Sequence, residues 1–325
     1  LTTSPDPLAQ LEPGGYLKIQ TKKGRLMATN SKKLLRSERR SGLLYTSPFF
    51  IIFAVFGLFP IVYTFWVGFH KWDPFSEPTW VGLDNFVLLM GDDRLWLAIR
   101  NTFSIWFLSS VPQILIALWL AWILNHSRIK GNTFWRSVVL IPNITSVVAV
   151  AVVFGQLFGR DYGMINWLLT VLGFTPIDWV NGTFSSHVLI AIMVIWRWTG
   201  YNALIYLAAM QSVPEDLYEA AELDGASKFR QFIEITIPQI RPTIIFTVIV
   251  STIGGLQIFA EPLILDGQGY AGGVSRQFST VTLFMFEQGF SRFEYGYASA
   301  IAIVLTLIVI SFSIVNFLIV RKIRA

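Results

Sequence analysis

Polar and aromatic side chains set inside long apolar stretches are the first candidates for chemistry in this chain. Residues 195–202 read Ile-Trp-Arg-Trp-Thr-Gly-Tyr-Asn. Arg197 places a charge within an apolar run, which is costly and demands a cavity or a partner. Trp196, Trp198 and Tyr201 offer aromatic faces on which a ligand ring can stack, and Asn202 can bond hydroxyl groups. Further on, Gln257 and Glu261 are the polar groups of a second apolar run, and Glu261 can pair with Arg197. Asn143 adjoins Pro142 in a third. Each also has a plainer role. Tryptophans at span ends usually anchor the membrane interface. Arg197 fits a structural ion pair as well as it fits a binding role. Asn143 can repair the backbone that Pro142 leaves short of a donor.

Other chemistries lack their residues. There are no cysteines, so disulfides and thiolate metal sites are excluded. The three histidines, His70, His126 and His187, fall at segment ends or in loops, and no two stand at ligand spacing. That leaves no histidine metal site and no base for a serine nucleophile inside a membrane. The phosphate-cradling pattern G-x-x-x-x-G-K-[ST] is absent, so the chain holds no P-loop for ATP. Its positive charge has no interleaved stacking platform of aromatics, which argues against nucleic acid.

The elements that position these residues are membrane spans. Of the 325 residues 54% are hydrophobic and 14% charged, and the mean hydropathy is +0.56. Soluble domains carry about 25% charged residues, so this chain cannot coat a water-facing surface. Six apolar runs are long enough to cross a bilayer, about 46–69, 100–124, 135–158, 186–210, 242–264 and 296–320. Helices are the only structure such runs can form in lipid. Pro60, Pro112 and Pro142 should bend the first three, Pro142 most. The pair Gly155 and Gly159 reads as a helix-packing motif. The expected fold is an all-α membrane protein with six transmembrane helices.

Charge then sets the orientation. Nine Lys and Arg precede the first span, in a basic tail over residues 1–44 that is expected to be disordered and to lie on anionic lipid. With the N-terminus inside, inner segments hold eighteen Lys and Arg against six outside, so both termini are expected in the cytoplasm. No signal peptide opens the chain. It begins with Leu1, and translation from Met27 is one expectation. The outer loops are 70–99, 159–185 and 265–295. Of these, 265–280 is dense in glycine and is expected to be mobile or packed on a partner. The one long inner loop is 211–241.

That loop has its own pattern. Pro214, Glu215 and Asp216 suit a helix start. Leu217, Ala220, Ala221 and Leu223 give a short helix with a small-residue face, and Asp224-Gly225 breaks it. A second short helix follows with Phe229, Phe232, Ile233 and Ile237 as its apolar stripe, ended by Pro238 and Pro242. Helices this short need a surface to dock on. They either lie on lipid or plug a groove on another protein.

Glu219-Ala220-Ala221, then three residues, Gly225, nine residues and Ile235-Thr236-Ile237-Pro238 resemble the EAA loop of permeases in bacterial binding-protein-dependent ABC importers. Only Ile237 departs from that pattern, replacing leucine. The resemblance spans residues 45–325. Val81-Gly82-Leu83-Asp84-Asn85-Phe86 and Gly296-Tyr297-Ala298-Ser299-Ala300 are similar to the maltose-type branch, which imports oligosaccharides, polyols and glycerol phosphodiesters. The resemblance implies a multi-pass subunit of the bacterial inner membrane. Glu219, Ala220, Ala221, Asp224, Gly225 and Pro238 would couple it to an ATPase. It implies as partners a second homologous permease, two copies of the ATPase subunit, an extracytoplasmic sugar-binding protein and the lipid membrane, with no nucleic acid. ATP and Mg would sit on the ATPase, and this chain would bind no cofactor. Arg197, Trp198, Tyr201, Asn202, Gln257, Glu261 and Asn143 would line the substrate path, with a di- or oligosaccharide as substrate. A glycerol phosphodiester or polyol importer and a stand-alone secondary transporter are the alternatives.

Overall fold

The structure is a computed structural model that describes residues 44–125, 131–267 and 269–324. The expected disorder of the basic tail, 1–44, concerns residues that lie, but for Leu44, outside the described ones. The chain divides into two compact units, Leu1–Tyr63 and Thr64–Ala325. The described part of the first is helical. Helix α1, Leu44–Gly68, has a widened turn at Ala54–Leu58, directly before Pro60. Proline gives no N–H to the preceding turn, and a π turn absorbs that misfit.

In the second unit a two-stranded hairpin, β1 (His70–Lys71) with β2 (Thr79–Trp80), is followed by α2 (Asp84–Met90) and α3 (Asp93–Leu124). Asp92 caps α3 by accepting from the Arg94 N–H at 2.9 Å, so the helix starts ahead of the apolar run expected from residue 100. Next come α4 (Asn132–Ile144), α5 (Val147–Leu157), α6 (Met164–Val171) and α7 (Thr183–Met210). They are followed by α8 (Asp216–Leu223) and α9 (228–239), which widens into a π turn at Phe232–Thr236. Helices α10 (Arg241–Leu256), α11 (Ala260–Asp266), α12 (Val281–Phe286) and α13 (Tyr295–Arg324) complete the chain. Among the described residues five helical stretches are long and apolar enough to cross a membrane, and the bent pair α4–α5 makes a sixth if counted as one span.

Two spans are interrupted, and one of them, the third, is the span expected to bend at Pro142. The third turns by 89° between α4 and α5. The corner lies at Thr145 and Ser146, whose ψ of 140° and 128° is extended, rather than at Pro142 itself. There the Thr145 hydroxyl bonds the Ile141 carbonyl at 2.8 Å, a local side-chain bond of the kind expected from Asn143. The fifth span breaks at 257–259. Its Ile258 carbonyl accepts from the Thr280 hydroxyl at 3.0 Å and from that of Thr282. Irregular backbone at membrane depth survives only where such partners meet it.

The glycine-dense loop is packed into its own chain. Asp266 accepts the N–H groups of Ala271 and Gly273 at 3.0 and 2.8 Å, and Phe278 is fully buried. His187 Nε2 donates to the Gln277 carbonyl at 2.7 Å, leaving Nδ1 to accept from Ser104 at 2.9 Å. At the loop's far end Glu287 is clamped by Arg276 at 2.6 and 2.8 Å and by Arg292 at 3.0 Å. Burial pushes the Glu287 carboxyl up, but the two arginines outweigh it and hold it below the usual range. Gly155, by contrast, faces open space within the chain and packs against nothing there.

Helices α3 and α7 form the central pair, flanked by α4 and α10. Their contact uses small residues, Ala117 and Ala121 against Ala203, as membrane helices without a hydrophobic drive require. Gly200 lies against the Val139 carbonyl of α4, where a Cβ would collide with backbone. Gly200→Val should therefore destabilise the fold by about 1–3 kcal/mol through overpacking. A lower thermal midpoint in detergent checks it. Asp92, at the start of α3, supplies a pH test. Partial burial pushes its carboxyl up, but Arg94 and the Tyr297 hydroxyl outweigh it and hold it at about 2, below the ordinary carboxylate range. A carboxyl depressed in the fold stabilises above its unfolded pKa and loses that as pH falls through the folded one. Thermal stability should thus drop between about pH 4 and pH 2, and Asp92→Asn should flatten that part of the profile.

Candidate functional site

The middle of α7, the break after α10 and the N-terminal half of α11 close around one cavity of about 360 Å³. Arg197 Nη1 donates to Glu261 Oε1 at 2.6 Å, with side-chain exposures of 15% and 7%. The two residues lie 64 positions apart in sequence, and Glu261 follows directly on the interruption at 257–259. The Arg197 guanidinium lies 6.0 Å from the Trp198 ring, which stands edge-to-face with Tyr201 at 5.9 Å. Trp198 and Tyr201 are about two-fifths exposed, so both keep open faces. Asn202 is buried and donates to Ser251 at 3.4 Å.

Arg197, Trp198, Tyr201, Asn202, Gln257 and Glu261 all line this cavity. Asn143 does not; it sits half-buried near the end of α4. Sequence reasoning missed Ser110 and Gln113 of α3 and Ser251 of α10, which also line it. The signal was present, since Ser109, Ser110 and Gln113 bracket Pro112 inside an otherwise apolar span. It also missed Gly255, which leaves room for the Trp106 ring on α3.

A second constellation lies at 216–239. Helix α8 ends in a Schellman turn. The Ala226 N–H bonds the Ala221 carbonyl at 2.9 Å, and the Gly225 N–H bonds that of Glu222 at 3.0 Å. Gly225 has a φ of +77°, the left-handed region that glycine adopts without penalty, and nothing stands within 4 Å of where its Cβ would be. Glu219, Ala220 and Asp224 are exposed and Ala221 half-buried. Two links brace the turn. Lys228 pairs with Glu222, and the hydroxyls of Tyr218 and Thr236 share a hydrogen bond at 2.9 Å. Phe232 and Ile240 are buried among Ala121, Leu124, Tyr206 and Met210. Pro238 lies in the last turn of α9, and after the Ile240 break Pro242 opens α10.

A polytopic helical membrane protein with a polar cavity inside its spans and a braced, exposed helix pair between two of them has the make-up of a transport subunit. The chain belongs to the family of binding-protein-dependent transport system inner membrane components, whose family model matches residues 96–325. It is 35% identical over 306 residues to the lactose transport system permease protein LacF of Rhizobium radiobacter, covering 91% of this chain and 99% of that one. It is 34% identical over 286 residues to the trehalose/maltose transport system permease protein MalF of Thermococcus litoralis, covering 88% and 95%. The arabinooligosaccharides permease AraP of Bacillus subtilis is 32% identical over 286 residues, covering 88% and 90%. Among solved structures, a chain of a bacterial ABC transporter that imports the acidic polysaccharide alginate superposes with a TM-score of 0.77 at 24% identity, covering 90% of this chain and 100% of that one. This likeness establishes the fold.

The ion pair gives a stability test. Arg197→Ala strands Glu261 as a buried charge, which costs about 3–5 kcal/mol. Replacing Arg197 and Glu261 together by methionine should recover most of that loss. Thermal unfolding of the single and double variants in detergent compares them.

Proposed function

We propose that this chain is a transmembrane permease subunit of an ATP-driven importer and forms half of a translocation path for a di- or oligosaccharide. An extracytoplasmic binding protein delivers the sugar. A second, homologous permease provides the other half of the path, and two copies of an ATPase subunit bind ATP and Mg and drive the cycle. Family membership supports the transport role, and the sugar permeases among its relatives support the substrate class. Both termini face the cytoplasm in this reading, consistent with the excess of Lys and Arg on that side.

The single observation that carries it is the braced turn at Gly225. Its exposed small residues and open left-handed glycine suit insertion into a partner's groove, where alanines permit close approach and Glu219 can form a charge-assisted bond. Closure of the ATPase pair would draw two such knobs together and rock the attached helices, a rigid-body route to alternating access. The cavity between α3, α7 and α10 then lies on the path. Its aromatic faces and hydrogen-bonding groups match a sugar better than an apolar solute.

Gly225→Val tests the knob. A side chain in the left-handed conformation costs about 1–2 kcal/mol, roughly a ten-fold loss of the formed turn. Membrane insertion should be normal while uptake falls and no longer tracks ATP hydrolysis. Normal sugar-stimulated hydrolysis together with normal uptake in that variant, in vesicles containing the whole complex, would count against the docking role.

A further inference from the structure

The charges around the cavity narrow the substrate class. Among the described residues Arg197 and Glu261 are the charged side chains that line it, and they pair with each other. Its other polar groups, Ser110, Gln113, Asn202, Ser251 and Gln257, are all uncharged. We infer that the Arg197–Glu261 pair is a specificity element that admits neutral sugars and rejects those bearing a carboxylate or phosphate. The inference rests on the reading of this cavity as part of the sugar path.

The physical case follows from what an incoming anion would meet. A carboxylate that took Arg197 for itself would strip Glu261 of its partner, leaving a buried charge unpaired. One that shared Arg197 would place two negative charges around one positive charge, in a site where the surrounding medium screens poorly. The outer cluster of the same chain shows the contrasting arrangement. There one acid, Glu287, is met by two arginines, Arg276 and Arg292. No second cation stands ready along the cavity wall. A neutral sugar needs no such counter-charge. Its hydroxyls can donate to Glu261 and accept from the free N–H groups of Arg197 while the pair stays closed, and its ring can stack on Trp198 or Tyr201. Of the guanidinium nitrogens Nη1 makes the bond to Glu261, and Nε is buried without an acceptor among the described residues.

Saturation-transfer NMR on the complex purified in mild detergent tests this. The probes are lactose, trehalose and maltotriose, each beside an analogue with one hydroxymethyl group oxidised to a carboxylate. At least one neutral sugar should bind, and its oxidised partner should bind roughly ten-fold more weakly or not at all. Glu261→Gln frees the positive charge of Arg197 and should bring the two within a few-fold or reverse their order. In case that single variant fails to assemble, the double variant Arg197→Gln, Glu261→Gln keeps the cavity neutral; neutral-sugar binding should weaken with the loss of the two charged contacts, while the ratio between neutral and oxidised sugars falls. Equal binding of neutral and oxidised sugars by the wild type overturns the inference. So does a ratio that neither variant moves. Trp198→Ala separates the two layers of the argument. If it leaves neutral-sugar binding intact, or if no probe binds the wild type at all, the cavity is not the sugar site, and the reading beneath the inference falls with it.

Discussion

A charge inside an apolar bundle must find its counter-charge within the protein, and the Arg197–Glu261 contact is where this chain meets that demand. The pair sits at 2.6 Å with both side chains largely buried. The fifth span is interrupted at 257–259, just ahead of Glu261, and the Ile258 carbonyl there is met by Thr280 and Thr282. Those two threonines belong to the segment after the glycine-dense loop, so that loop is part of what makes the charge pair possible. It is fixed in turn by Asp266, by Gln277 and by His187 reaching across from α7. The ion pair, the helix break and the loop are linked through these polar contacts into one arrangement.

How much of this could be read from the residues depended on whether a feature was local. Apolar length located the spans, because crossing hydrocarbon imposes a length that few other structures need. The Gly225 turn was legible too, since a left-handed residue after a short helix is a local demand that one glycine answers. The start of α3 was misplaced because its signal is the Asp92 cap, a polar feature ahead of the apolar run. The break before Glu261 depends on partners elsewhere in the chain, Thr280 and Thr282, and no local pattern displays it. For the cavity, the residues on α7 and after α10 stood out as polar intrusions into apolar segments. Ser110 and Gln113 did not, because serine and glutamine beside a proline read equally well as backbone repair. The loop at 265–280 was misread for a related reason. Glycine density marks either freedom or crowding, and here Gly272 and Gly273 are pressed against Ser279 and Gln277.

The cavity and the exposed helix pair lie at different levels of the bundle, yet the same two helices serve both. Helix α3 carries Ser110 and Gln113 in its middle and Ala117, Ala121 and Leu124 toward its end. Helix α7 carries Arg197, Trp198 and Tyr201 in its middle and Tyr206, Leu207 and Met210 toward its end. The end groups pack with Phe232 and Ile240 from the helix-pair segment into one cluster, sealed by the hydrogen bond between Tyr206 and Thr247. Cores packed this densely shift as units and do not deform smoothly. A displacement of the 216–239 segment must therefore carry the near ends of α3 and α7 with it, unless that cluster comes apart.

That mechanical link determines what the cavity can sense. If α3 and α7 move together, Ser110, Gln113, Arg197 and Trp198 keep their mutual spacing, and what changes is their relation to α10 and α11, which hold Ser251, Gln257 and Glu261. The ion pair crosses this seam, with the weaker Asn202–Ser251 bond at 3.4 Å beside it and the Tyr206–Thr247 bond further along. Rocking of one group against the other would strain the charge pair along with these contacts. Separating the two charges by even a few ångströms in a poorly solvated site is costly, so the pair favours the closed arrangement seen here. A neutral, hydroxyl-rich molecule entering the seam would bridge the parting charges with its own donors and acceptors and lower the cost of opening. In the proposed function, the sugar would thus help to open the cavity it occupies by standing in for the bond that holds it shut.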